Sequence, residues 1–230
     1  MRIRINLLFI CMIFVLTGFV SATENSNETN STNSTNEILL TECDLLNTEN
    51  GMYELTNNII ATGNCFTIDA NNVTLDLQGY TIKGEDSGTG VHVKKNSNNI
   101  IIKNGMIDGF ITGIRLFSSN SIEVTETKIS NNIIGISLGD TSDSILHHNT
   151  FENNGIGISF YDGSNSNTIH TNKIPGIDSI DFNQNNEPIK KNVFYNNLLG
   201  RVDLNPLEGS GFNEWSISKQ SGENIIGGEY

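Results

Sequence analysis

The chain reads as an all-β solenoid, a stack of parallel coils of 22–23 residues with three short strands in each. Three observations predict this. Glycines at 90, 113, 135 and 157 recur every 22 or 23 residues and each opens the same phrase: Gly90-Val91-His92-Val93, Gly113-Ile114-Arg115-Leu116, Gly135-Ile136-Ser137-Leu138 and Gly157-Ile158-Ser159-Phe160. Two aliphatic columns run through the repeats. Asparagines punctuate the intervals between them. A single repeat of this size cannot bury its own apolar face, so it must stack on a neighbour.

The first column aligns Ile68, Val91, Ile114, Ile136, Ile158, Ile180 and Val202, and the second aligns Ala70, Val93, Leu116, Leu138, Phe160, Phe182 and Leu204. Between them stand Asp69, His92, Arg115, Ser137, Ser159, Asp181 and Asp203. This alternation has period 2, which makes each phrase a strand with its middle residue facing out. A second strand follows from Val73-Thr74-Leu75, Ile100–Ile102, Ile122–Val124, Ile145-Leu146 and Thr168-Ile169. A third centres on Ile107, Ile129, Phe151, Ile174 and Phe194. Asn131-Asn132, Asn149, Asn153-Asn154, Asn172, Asn192 and Asn196-Asn197 mark corners, where asparagine tolerates left-handed backbone angles, and some are expected to stack inward as amide ladders. The glycines read as corner residues too. Coils would rise by about 4.8 Å each.

The ends have other characters. Residues 1–22 form a signal peptide, with Arg2 and Arg4 ahead of an apolar run from Leu7 to Val20 and small residues at Ser21-Ala22. Residues 23–37 are an Asn/Ser/Thr-rich spacer expected to be disordered. It carries glycosylation sequons at Asn27, Asn30 and Asn33, and a fourth stands at Asn72. Residues 38–66 form an N-terminal capping coil, 67–210 the repeats and 211–230 a tail. The tail leaves either an open coil edge or a truncated chain. The net charge of −13 disfavours a nucleic-acid partner. In an exported chain, Cys43 and Cys65, 22 residues apart, favour a disulfide on adjacent coils. No transmembrane span remains once the leader is removed, and neither a cofactor nor an obligate oligomer is expected.

The stretch from Cys43 to Asn154 resembles the NosD-like right-handed parallel β-helix repeat proteins, of the secreted or cell-surface kind found in archaea. The likeness is carried by Asn72-Val73-Thr74-Leu75-Asp76-Leu77-Gln78-Gly79-Tyr80-Thr81-Ile82, by Gly51–Ile59 upstream, and by Asn213-Glu214-Trp215 and Asn224–Gly228 downstream. The resemblance implies a right-handed single-stranded parallel β-helix, export, and a role at the cell surface linked to carbohydrate. It is not extended to copper handling, because the chain lacks a dense Cys, Met or His cluster.

Candidate sites are sparse. Tyr161, Asp162, Asn165 and Asn167 in one loop, Tyr195 with Asn197 in another, and Trp215 are the residues expected to meet glycans, which favour exposed aromatics beside carboxylates and amides. Weak metal candidates are the outward pair His147 and His170, with His148 pointing elsewhere, and the adjacent Asp181 and Asp203. No catalytic residue is assigned. Arg115 lies roughly 14 Å by coil rise from Asp181, too far for one constellation, and Ser137 and Ser159 between them are chemically quiet. The expectation is a non-catalytic, exported, adhesin-like or glycan-binding envelope protein whose partners are polysaccharides or envelope glycans. The alternative is a polysaccharide-acting enzyme (a lyase, hydrolase or epimerase) with a groove on its outer face.

Overall fold

A computed structural model describes residues 37–176, 178–183, 189–200, 202–203 and 213–216. The signal peptide, nearly all of the spacer with its three sequons, the ladder position Leu204 and most of the tail lie outside the described residues. Every recorded strand pair is parallel, and the strands form two sheets that face each other across one core. The narrow sheet has eight strands: Leu45–Leu46, Phe66–Ile68, Thr89–Val93, Thr112–Phe117, Ile134–Gly139, Ile156–Tyr161, Asp178–Asn183 and Val202–Asp203. The broad sheet has fourteen and is bent along its length, because it contains both the second and the third strand of each coil. In two coils these merge into nine-residue strands, Ile100–Asp108 and Ile122–Ser130. This is a right-handed parallel β-helix.

The columns hold from Val91 onward, where Val91, Ile114, Ile136, Ile158 and Ile180 pair in register and are fully buried. One rung earlier the register differs from the sequence alignment. Phe66 pairs with Val91, Thr67 with His92 and Ile68 with Val93. The coil between them is longer: Lys83 to Thr89 occupies the place of Asp108 to Thr112, with two extra residues. Phe66 therefore takes the first-column place that the alignment gave to Ile68, Ile68 takes that of Ala70, and Asp69 leaves the outward row to pair with Lys94. A second difference lies at Phe194, which pairs with Ile169 in the second-strand column; the third strand of that coil is Leu198–Leu199.

Corners are set by left-handed residues, four columns of them. Asn99, Ser121, Asp143, Ser166 and Lys191 form one, with φ between 53° and 59°, and Asn104, Glu126, His148, Thr171 and Asn196 form another, with φ between 50° and 60°. Ser118, Asp140 and Asp162 form a third, and Asn131 and Asn153 stand in the fourth. Several asparagines turn inward instead. In the ladder Asn149–Asn172–Asn197 each amide Nδ2 donates to the next Oδ1 at 3.1 and 3.0 Å. Asn167–Asn192–Asn213 repeats the arrangement at 2.9 and 3.2 Å. These amides satisfy backbone groups that the corner would otherwise leave buried and unpaired.

The recurring glycines are not corner residues. A Cβ on Gly90, Gly113 or Gly135 would stand 2.7, 2.7 or 2.5 Å from the carbonyl oxygen of the next glycine in the column, and one on Gly157 would stand 2.5 Å from that of Ser179. They are needed for close approach between coils, not for a positive φ. At the N-terminal end Cys43 and Cys65 are joined in a disulfide, as their spacing predicts.

Candidate functional site

The second strand of each coil places its inward residue in the column Leu75, Ile102, Val124, Leu146, Ile169 and Phe194, and the residue after it faces outward. Parallel in-register stacking therefore builds an outer row of Asp76, Lys103, Thr125, His147, His170 and Tyr195. Rungs are about 4.8 Å apart, near the stacking distance of flat rings. The rings use it: His147 and His170 stack at 5.0 Å and 10°, and His170 and Tyr195 at 4.7 Å and 4°.

Polar contacts fix this stack. Glu123, two residues ahead of Thr125 and so on the same face, accepts from His147 Nε2 at 2.9 Å. His147 Nδ1 lies 3.3 Å from Thr125 Oγ1 and 2.7 Å from Nδ1 of His148. His148 thus turns toward the cluster rather than away from it, because its left-handed φ of 54° brings the corner side chain back over the strand. At most one proton fits between those two nitrogens. His170 Nδ1 meets Thr171 Oγ1 at 3.1 Å, and its Nε2 has no hydrogen-bond partner among the described residues. Burial, followed by the neighbouring His147 and His148, holds the His170 pKa below its ordinary value of 6.5. His170 is therefore a neutral imidazole at pH 7, clamped on both faces. Lower in the row, Lys103 pairs with Asp76 at 3.2 Å. Asp76 also accepts from Gln78 N and Asn104 Nδ2, so the aspartate of the entry phrase closes a turn.

Other expected site residues are scattered. Asn167 is 0% exposed and sits inside an amide ladder, and Asn197 terminates the other ladder, so these two amides serve the coil rather than a ligand. Asn165 bonds to Gly163 O within its own corner, and Asp162 is a half-buried left-handed corner residue. Tyr161 lies on the narrow sheet, remote in sequence column from Tyr195. Asp181 and Asp203 are neighbours in register there, on a different sheet from His147 and His170, so the four metal candidates do not converge. The side chains of Asp203 and Trp215 lie outside the described residues, although Trp215 pairs with Phe194 through its backbone. Asn72 is exposed at a corner with φ 57°, its Oδ1 accepting from Asn99.

Sequence reasoning missed Glu123, and it missed Tyr195 as a member of the histidine column. Placing Phe194 in the third strand removed Tyr195 from the row; the available signal was that Phe194-Tyr195 repeats the apolar-then-ring pattern of Leu146-His147 and Ile169-His170.

Among solved structures, the full-length tailspike protein 2 of Escherichia coli O157:H7 bacteriophage CAB120 is similar with a TM-score of 0.54 at 15% identity, over 71% of this chain and 28% of that one. The Dettilon tailspike protein gives a TM-score of 0.46 at 14% identity, over 70% of this chain and 42% of that one. Endopolygalacturonase I from Stereum purpureum, complexed with two galacturonates, gives 0.38 at 14% identity over 84% and 93%. This chain thus spans little more than a quarter of the tailspike it matches with the highest of these scores. No curated protein matches the chain in sequence. The expectation of a non-catalytic adhesin-like protein, with an enzyme the less favoured reading, is corrected by the likeness in fold to the bacteriophage tailspike protein, which favours the alternative of a polysaccharide-acting protein. Its physical source was the choice of face: catalysis was weighed on the quiet row of the narrow sheet, and the titratable row on the broad sheet was weighed for metal binding alone.

The family model described as periplasmic copper-binding protein (NosD) matches residues 15–230. Copper sites draw on thiolates, thioethers or convergent imidazoles. Cys43 and Cys65 are tied to each other, both ring nitrogens of His147 are engaged, and no group of three or more His, Cys, Asp or Glu among the described residues is arranged to hold a metal ion. The residues present do not fit copper, and no chemistry is routed through it. No helix among the described residues is long and apolar enough to cross a membrane. With its match extending over nearly the whole sequence, and with the fold that the family shares, the chain is an exported member of the NosD family of parallel β-helix proteins.

Proposed function

We propose that the chain is a polysaccharide-acting enzyme whose chemistry lies on the outer face of the broad sheet, with His170 as the group that moves a proton. The observation that carries this reading is the neutral, clamped imidazole of His170, with Nε2 facing no partner and with Tyr195 and His147 against its two faces. A general base works best when its pKa lies near or just below the working pH and its geometry is fixed in advance. Likeness in fold to a tailspike protein supports a carbohydrate substrate.

The side chains in contact favour proton abstraction over two-carboxylate hydrolysis. Hydrolysis needs a pair of carboxyl groups flanking the glycosidic bond, whereas the contacting groups here are imidazoles, a phenol and one glutamate. In β-elimination His170 Nε2 takes the proton from the carbon next to a uronate carboxylate. The C–H electrons form the new double bond as the glycosidic C–O bond breaks, and the leaving oxygen takes a proton from the Tyr195 hydroxyl. Glu123 fixes His147, and the ring of His147 in turn fixes His170. The test is turnover of a panel of uronate-containing polysaccharides by wild-type protein, H170Q and Y195F. Loss of about 10²-fold or more in kcat for H170Q, with the melting temperature retained, is expected. Equal turnover by wild type and H170Q would refute the assignment.

A further inference from the structure

The geometry points to a second carbohydrate site, on the narrow sheet, that binds a carboxylate-bearing sugar without acting on it. Tyr161 and Gly139 are neighbours in register, and a Cβ on Gly139 would lie 2.2 to 2.5 Å from Cζ, Cε2 and the hydroxyl oxygen of Tyr161. The phenol end of the ring therefore occupies the space beside the glycine of the adjacent coil, which only a residue without a side chain permits. Gly139 is buried at this contact, and Tyr161 is half-buried, so part of its ring meets solvent. A partly exposed aromatic ring suits the apolar face of a pyranose.

Gly139 pairs in turn with Phe117, and the guanidinium of Arg115 lies over the Phe117 ring at 5.4 Å from its centroid. Arg115 is exposed, is the only arginine among the described residues, and makes no salt bridge among them, in a chain of net charge −13. An arginine so placed, held by stacking and not by a carboxylate, is set to take a planar anion through its fork of N–H donors. Platform and guanidinium stand on one face two coils apart, about 9.6 Å by coil rise, with Gly139 on the coil between them. Their natural occupant is an acidic polysaccharide chain, its ring on Tyr161 and its carboxylate on Arg115. Phe117 acts as the positioning residue. The site does not depend on the chemistry assigned to the broad sheet.

Calorimetric titration separates the two. Oligouronide and its carboxyl-reduced counterpart are titrated into the mature protein carrying H170Q, and into the same protein with R115Q, Y161A or G139A added, each checked by thermal melting. Binding of the oligouronide is expected to survive H170Q and to weaken at least about tenfold with R115Q, with Y161A, and with removal of the sugar carboxylates. G139A, which must lift the tyrosine ring, should weaken it as well. Unchanged affinity in R115Q and Y161A, equal affinity for the reduced oligomer, or no binding at all overturns the proposal. Loss of binding on introducing H170Q into the otherwise wild-type protein assigns the ligand to the broad sheet and equally overturns it.

Discussion

Alanine at Gly135 places a methyl group where the next coil already stands. Its Cβ would lie 2.5 Å from the Gly157 carbonyl oxygen and 2.9 Å from Cδ1 of Phe151, a fully packed ring. The carbonyl belongs to a paired strand and cannot swing aside, so the two coils must separate by at least about half an ångström to reach the tightest contacts that real side chains tolerate. A gap of that size forfeits a quarter to a half of the dispersion energy along the seam, and overpacking of this kind costs about 1–3 kcal/mol. Reduced freedom of the unfolded chain returns about 0.5 kcal/mol. The net loss is about 1.5 kcal/mol, which lowers the melting temperature by roughly 3–6 °C in a domain of this size. Gly176→Ala is the control, since its Cβ meets nothing within 4 Å and its backbone angle is not in the left-handed region; it should leave the melting temperature unchanged or slightly raised. Thermal melting followed by circular dichroism reads both variants. A Gly135→Ala protein that melts within about a degree of wild type would refute the close-approach account of the glycine period.

Other expectations follow from the same geometry. Asn172→Ala removes the acceptor for both the backbone N–H and the amide of Asn149, at 3.0 and 3.1 Å, and the donor to Leu146 O; a loss of about 2–4 kcal/mol is expected in urea denaturation. Glu126 holds a left-handed φ of 50° on an exposed corner, so Glu126→Asn should stabilise by about 0.5–1 kcal/mol in the same assay. Burial lowers the folded-state pKa of both His92, with Arg115 and Lys94 adding to the effect, and His170. The unfolded chain then binds the extra protons first, so stability is full above about pH 6.5 and falls as the pH drops through that value toward the folded pKa. Denaturation at pH 7.5 and 5.5 should show the decline, and the double variant H92Q/H170Q should flatten it.

The scaffold was legible because its two signals reinforce each other: period 2 within a strand and period 22 between coils select one face for Ile114, Ile136 and Ile158 at every rung. Legibility failed where coil length changed. The stretch between Lys83 and Thr89 carries two more residues than its counterpart in the next coil, which moved Phe66 into the place that spacing alone gave to Ile68. The interval from Ile169 to Phe194 is 25 residues against 23 from Leu146 to Ile169, which hid Tyr195 from the histidine column. Reading Asn167 as a ligand residue failed for another reason. An asparagine at a corner and one inside an amide ladder have the same neighbours in sequence and differ only in which way the corner turns. Gly139 shows the complementary limit, since nothing local distinguishes a glycine that opens a strand from one that accommodates a ring from the adjacent coil.

Product mass tests the central claim most directly. Wild-type protein is incubated with a defined oligouronide, and the fragments are weighed by mass spectrometry, with H170Q run in parallel. Proton abstraction on the broad sheet predicts fragment pairs whose masses sum to that of the substrate, since elimination adds no water, and predicts that H170Q yields almost none. Fragment pairs heavier by one water, fragments that persist undiminished in H170Q, or a panel of bound but uncleaved oligomers would contradict it.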